Sequence, residues 1–510
     1  MKYLLLLILS ACLLTPETEP VTAAPLSDIP TAAGRPFDFN TRCREAYRLI
    51  MMTRLDAGAQ LLAAEKRDHP DNLAPYFLDN YIDFLRLFFH EDPKEYAALK
   101  AHRDQRLELM SKGDTRSPFY LYTLAMLHFQ WAVCKIKFGE NWSAVWEFRK
   151  AYSQIRDNQK KFPDFSPNKI LLGSMQTVIG TVPESYRWIT GILGFSGGNV
   201  SRGMEQLRSY VDDASPEGTL FHDEACFYYA YLRFYVAHEP DAVFRFIREE
   251  QLDVVNNQLF AFMAANLALN NHMGDDGLRI LAARKTGPGY LDMPILDYEI
   301  GVLKLNHLEL DEAIASLRRF TSTFKGKFYV KDALYKLSLA CYLNGNTAEA
   351  GQYRKLIESR GNTSTDADKA ALREARKGRW PNAVILRARL LGDGGYFHQA
   401  LDLLSRHKVG DFTQLIDKIE YAYFLARIYD ELEEDNRAIP LYEATIKVGA
   451  SRPEYYAARA ALQLGFIYEQ RKDKTRALQY FKKCLDMKEE EYKSSLDQRA
   501  KAGINRLTAR

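Results

Sequence analysis

From position 41 onward, apolar residues recur at three- and four-residue spacing in segment after segment, with short polar or Gly/Pro breaks between them. The spacing predicts helices over 76–90, 94–112, 118–138, 142–161, 220–236 and 258–271. Asp92-Pro93 and Ser117-Pro118 mark starts: a capping side chain, then a Pro at the first helical position, where its missing N–H costs nothing. No run alternates with the period of two that a half-buried strand requires. The chain reads as all-α.

The predicted helices are not independent. A small residue in one is followed twelve positions later by a small residue in the next, and in most sets a large apolar residue stands four further on. The sets are Ala230/Ala242/Phe246, Ala265/Gly277/Leu281, Gly301/Ala313/Leu317, Ser338/Ala350/Arg354, Ala388/Ala400/Leu404, Ala426/Ala438/Tyr442 and Gly465/Ala477/Phe481. Their first members lie 35, 36, 37, 50, 38 and 39 residues apart. Antiparallel helices approach closely only where the side chains between them are small, and a bulky residue one turn on closes the gap to the next pair. The pattern therefore predicts helical hairpins stacked in series. Ala46/Gly58/Leu62 and Ala132/Ala144/Phe148 read as degenerate N-terminal members, and the 50-residue gap holds a charged stretch, 359–379, expected to be an inserted loop and helix.

These residues resemble a known family. Leu464-Gly465, Tyr468, Ala477 and Phe481 occupy the signature positions of the tetratricopeptide repeat; Leu425-Ala426, Tyr429, Ala438 and Tyr442 do so with Ala for Gly. Arg354 and Arg387 depart from the signature, each a charge where an apolar residue belongs. The resemblance implies a right-handed superhelical solenoid of antiparallel helix pairs that binds other proteins without catalysis. A narrower likeness lies in 170–207. Gly173, Val182-Pro183, the apolar turn 188–193, Gly194-Phe195, Gly197, Gly203-Met204 and Leu207 resemble a motif of the eukaryotic tetratricopeptide-repeat-39 and yeast inclusion-body-clearance family. That family places the element ahead of its C-terminal repeats, as here. Its members are intracellular, whereas this N-terminus argues for export, so their cellular role is not carried across.

Residues 1–14, MKYLLLLILSACLL, place one Lys ahead of an uncharged run shorter than the roughly 20 apolar residues that span a bilayer. Such a run followed by polar residues is the pattern of a secretory signal. Val21-Thr22-Ala23 before Ala24 fits the small-x-small rule and is the favoured cleavage site. Leu9-Ser10-Ala11-Cys12 resembles a bacterial lipobox, which makes Cys12 a candidate lipidation site and the only expected route to a membrane. The expected organisation is a signal peptide at 1–23, a polar linker at 24–40 and degenerate helical repeats at 41–165. An apolar hairpin with a Gly-rich turn follows at 166–213, then repeats at 214–488 and a polar capping helix at 489–510. The expected location is the periplasm or the medium, or the outer membrane if Cys12 carries lipid.

Composition narrows the chemistry. A chain that is 47% hydrophobic and 12% aromatic can bury a core. Its 69 basic against 66 acidic residues leave a formal charge of +3, without the clustered excess that phosphate contacts demand, so no nucleic-acid partner is expected. The ten His form no HExxH. His222-Asp223-Glu224 and His90-Glu91-Asp92 are the densest metal-like clusters, but adjacent residues on a helix point in different directions, and no metal or cofactor is expected. The Gly-rich run 194–203 lacks the GK[ST] ending and the preceding strand of a phosphate loop, and reads as a tight turn. Cys43, Cys134, Cys226, Cys341 and Cys484 are scattered through apolar contexts and read as small buried hydrophobes. Asn141-Trp-Ser, Asn199-Val-Ser and Asn362-Thr-Ser match the glycosylation sequon, which matters only in a eukaryotic host.

Function is then expected from a surface. In the two best repeats, the first-helix residues that the core pattern leaves free are Tyr423, Arg427, Asp430, Glu431, Arg459, Phe466, Glu469 and Gln470. Their mixed charge and aromatic rings suit an extended peptide or protein segment. A helical enzyme acting on an envelope polymer would need convergent carboxylates, and no such pair is identifiable. An envelope-anchored lipoprotein of an assembly machine is the alternative, distinguished by lipid on Cys12.

Overall fold

The computed structural model describes residues 34–182, 195, 198–216, 218–487 and 492–508. The signal segment with Cys12 and both processing sites, most of the polar linker, residues 183–194, 196 and 197 of the apolar hairpin, and 489–491, 509 and 510 of the capping segment lie outside the described residues.

Helix follows helix. Among the described residues the only β pairing is one isolated bridge, Arg35 to Gly113. Five of the predicted helices stand at Ala74–His90, Phe119–Lys137, Asn141–Lys161, His222–Tyr235 and Gln258–Leu269. The single helix expected over 94–112 is instead two, Pro93–Leu99 and Ala101–Met110. The ladder changes partner at Lys100, where Arg103 N–H reaches back three residues to the Lys100 carbonyl at 3.4 Å.

Each hairpin turns on one left-handed residue. Seven positions after the small residue of the first helix stand Thr53, Gly139, His272, Leu308, Gly345, Gly395, Glu433 and Lys472, all with φ between 56° and 86°. A left-handed residue ends a helix and redirects the chain, so a constant turn length imposes a constant offset between the two crossing residues. One set departs. His238 (φ 59°) stands eight positions after Ala230, the turn is one residue longer, and the fully buried residue of the second helix is Val243, with Ala242 only half-buried. The offset for that pair is corrected from twelve to thirteen.

At the crossings Ala46, Ala132, Ala230, Ala265, Ser338, Ala388 and Ala426 are each 0% exposed. A Cβ added to Gly465 would lie 2.4 Å from the Phe481 ring, and one on Gly301 would lie 2.6 Å from Leu317 Cγ. Asn168–Ile179 and Val200–Val211 cross closer still: a Cβ on Gly203 would meet Thr177 Oγ1 at 2.2 Å and the Gly173 carbonyl at 2.5 Å.

The charged stretch 359–379 contains a helix, Asp366–Arg376. It is tied in by buried Asp368, which accepts hydrogen bonds from Tyr329 N (2.9 Å), Asp332 N (3.1 Å) and Thr365 Oγ1 (2.6 Å). Two of those donors open the helix Val330–Leu343, whose own N-cap residue makes no side-chain cap; Asp368 caps it from a distance. Arg354, out of place in the repeat signature, donates to the carbonyls of Glu374 (2.8 Å) and Ala375 (3.1 Å). Its charge satisfies the C-terminal carbonyls of the inserted helix.

The chain divides into two units: one comprises residues up to Asn271 with Asp275–Val302 and Asp311–Arg376, the other His272–Gly274, Leu303–Leu310 and Lys377 onward. The core of the first is strongly aromatic. Phe221 contacts Phe39, Tyr47, Phe77 and Tyr122, with ring centroids 5.1–6.4 Å apart. The second stacks Ala383–Asp393, Phe397–Ser405, Leu415–Glu431, Asp435–Gly449, Tyr456–Gln470, Lys474–Leu485 and Lys493–Thr508. Its core runs from Ile385 and Ala388 through Tyr442 and Phe481 to Leu496 and Ala500. Each of these helices packs mainly on its neighbours in sequence, as stacked hairpins do.

Candidate protein-binding face

In the second unit, the first helices of successive hairpins carry the predicted surface residues. Tyr423 does not reach that surface: it is 2% exposed and packs against Tyr456 (5.3 Å between centroids), Tyr442 (6.1 Å) and Tyr455 (6.3 Å). It forms a floor. Asp430 is half-buried and held by Tyr442 Oη (2.9 Å) and Gln463 Nε2 (3.1 Å), while burial pushes its carboxyl upward against those hydrogen bonds. Glu431 and Gln470 are exposed.

Arg427 pairs with Asp393 at 2.8 Å. Burial opposes the guanidinium charge, but the Asp393 carboxylate outweighs it and raises Arg427 above its ordinary value. Beside them a shallow cleft, with room for no more than about one water, is lined by Arg389, Gly392, Phe397, Phe424 and Arg427. Arg459 lies 5.9 Å from the centroid of Tyr455 and, among the described residues, forms no ion pair. Arg499 is likewise without an ion pair among the described residues and sits 5.3 Å from the Phe466 centroid. Burial first, and then the like charge of Arg459, lower Arg499 from its ordinary value. Phe466 also receives Arg506 (5.9 Å), which grips Glu469 through two hydrogen bonds of 2.9 and 2.7 Å.

The structure thus brings Arg427 and Arg459 together over a tyrosine floor and adds Arg389, Asp393, Tyr455 and Arg499, which reading the sequence missed. The missed signal is visible in hindsight: Tyr423/Arg427 and Tyr455/Arg459 repeat a tyrosine four residues before an arginine, which puts both on one face of each helix. Glu469 is held by Arg506, which shares the Phe466 ring with Arg499. Guanidinium groups stacked on aromatic rings keep their planar forks open to carboxylates.

The metal-like clusters disperse. His90 contacts Glu95 (3.0 Å) and the Asp292 carbonyl (3.1 Å), while Glu91 turns inward to Lys137 (2.5 Å). Glu224 is buried beneath tyrosine hydroxyls, away from His222. Among the described residues no group of three or more His, Cys, Asp or Glu could hold a metal ion. Cys43, Cys134, Cys226, Cys341 and Cys484 are all buried and unbridged.

Comparison with known proteins adds one point of identity. Residues 458–491 match the tetratricopeptide repeat. That stretch contains Gly465, Ala477 and Phe481, the crossing set with the tightest glycine contact. No curated protein matches the sequence. Among solved structures, the tetratricopeptide-repeat domain of P58(IPK) is 12% identical, covering 84% of this chain and 99% of its own, with a TM-score of 0.22. Yeast Tom70 is 15% identical, covering 91% and 96%, with a TM-score of 0.24. The all-α architecture of hairpins therefore rests on the helices and crossings described above.

Proposed function

We propose that this protein is a non-catalytic scaffold that binds an extended, carboxylate-bearing segment of another protein on the first-helix face of its second unit. The observation that carries the reading is the pair Arg459 and Arg499: two neighbouring guanidiniums without ion pairs among the described residues, beside Arg427–Asp393 and over Tyr455 and Phe466. Like charges held side by side repel, and a carboxylate-bearing ligand relieves that repulsion through charge-assisted hydrogen bonds. Aromatic floors supply sequence-tolerant contact area to such a segment. The partner is met after export, in the cell envelope or beyond it, an assignment that rests on the apolar run of residues 1–14 and the Ala23 cleavage rule.

Fluorescence polarisation with labelled oligoglutamate, and oligolysine as control, tests the reading. Saturable, salt-sensitive binding of the acidic peptide alone is expected, weakened at least about tenfold in Arg459→Glu/Arg499→Glu. Equal binding of both peptides, or an unaffected double variant, would contradict it.

A further inference from the structure

The helix Asn141–Lys161 buries one side in the first unit through Ala144, Val145, Phe148, Ala151, Tyr152 and Ile155. Its other side is unusual. Trp142 and Trp146 are 44% and 53% exposed, although tryptophan is a residue that folded chains normally shelter. At 100° per residue, Trp142, Trp146, Arg149, Ser153 and Lys160 fall within one narrow stripe, with Lys150 on its edge. Arg149, Lys150 and Lys160 are all exposed. Arg149 also stacks on Trp146, 5.3 Å from the ring centroid. Asp157, 3.2 Å from Lys160, is the one acid in the stripe. The helix therefore presents a straight face about 27 Å long, indoles at one end and cations along the rest.

We propose that this face docks the protein on an anionic lipid surface. An indole has an apolar body and a polar N–H, which suits the boundary between headgroups and acyl chains, and exposed Lys and Arg match the negative charge of the headgroups. A single flat stripe also fits a plane better than the concave seat that a protein hot spot needs. The contact is peripheral: among the described residues no helix is long and apolar enough to cross a membrane. It is independent of the peptide-binding face and requires no lipid on Cys12.

The test uses the full chain carrying Cys12→Ala, so that acylation cannot contribute, and vesicles of phosphatidylcholine with or without equimolar phosphatidylglycerol. Co-flotation with the anionic vesicles only is expected, with a blue shift of tryptophan emission and release by added salt. Trp142→Ala/Trp146→Ala is expected to lower the bound fraction at least about tenfold, and Arg149→Glu/Lys150→Glu to remove the preference for anionic lipid. Both pairs are exposed, so an unchanged circular-dichroism spectrum serves as the folding control. Three results would overturn the proposal: no flotation with either vesicle, flotation that ignores lipid charge, or binding that survives loss of both indoles. Absence of flotation with the tryptophan emission shifted instead by oligoglutamate would assign the face to a protein ligand.

Discussion

The first unit holds buried carboxylates with several partners each, and the second carries two arginines without an ion pair among the described residues. In the first, carboxylates are sealed inside and answered there. Glu147, 3% exposed, receives His128 (2.5 Å), Lys135 (2.6 Å) and Arg103 (2.7 Å). Burial alone would raise its carboxyl; the three donors reverse that and hold it far below the ordinary carboxylate range. Glu224 accepts hydroxyls from Tyr228 (2.8 Å), Tyr81 (2.8 Å) and Tyr47 (3.3 Å), yet burial prevails and pushes it up to about 7. In the second unit buried Glu420 pairs with half-exposed Arg379, whereas half-buried Arg459 and exposed Arg499 form no ion pair among the described residues. Charges paired inside hold a fold together; the proposed function assigns the unpaired ones to a ligand. Sequence alone counts both as ordinary Glu and Arg.

The largest effect expected from breaking this contrast is at Glu147. Glu147→Ala strands the Arg103 and Lys135 cations and the His128 imidazole around a buried gap, and removing one partner from a buried ionic cluster typically costs about 3–5 kcal/mol. Urea unfolding followed by tryptophan emission should show that loss. A change below about 1 kcal/mol would mean the cluster is solvated and the contrast between units is weaker than described.

Glu224 sharpens it through pH. Its folded-state value of about 7 lies above the 4.5 of an unperturbed Glu, so the folded protein favours the protonated form. The resulting stability is fully present below pH 4.5 and is lost as pH rises through 7. At 1.36 kcal/mol per unit the cost reaches about 3 kcal/mol above pH 8. Glu224→Gln should leave Tm unchanged near pH 5 and raise it near pH 8.5. A variant whose gain is the same at both pH values would remove the titration from the explanation.

The smallest expected effect tests the hairpin geometry. Lys472, exposed at the turn of the last complete hairpin, holds φ at 60°, a conformation that costs a side chain about 1 kcal/mol and glycine very little. Lys472→Gly should therefore stabilise the second unit slightly, by less than about 1 kcal/mol after the added chain entropy, whereas glycine elsewhere in a helix destabilises.

Much of the fold was legible because it rests on local arithmetic. A turn of fixed length with a left-handed residue fixes the distance between Gly465 and Ala477, and the absent Cβ that lets Phe481 approach is written in the sequence as a glycine. The misreadings are also local: one extra turn residue moved the crossing from Ala242 to Val243, and Lys100 divided a helix. The site was harder to read. Tyr423 fills no position of the repeat signature, yet Tyr442 on its own hairpin and Tyr456 on the next cover it. The Arg427–Asp393 pair joins residues 34 positions apart, and Glu224 meets Tyr47 across 177. Periodicity within a helix carries no information about partners at such separations. Arg354 looked like a flaw in the repeat until the inserted helix gave its guanidinium two carbonyls.

The most direct measurement of the central proposal is amide hydrogen exchange of the full chain with and without saturating oligoglutamate. Slower exchange is expected in Leu415–Glu431, Tyr456–Gln470 and Lys493–Thr508, with little change in the second helices Asp435–Gly449 and Lys474–Leu485 and none in the first unit. Protection confined to the second helices, or to the first unit, would place the ligand elsewhere and contradict the assignment of Arg459 and Arg499 as its binding groups.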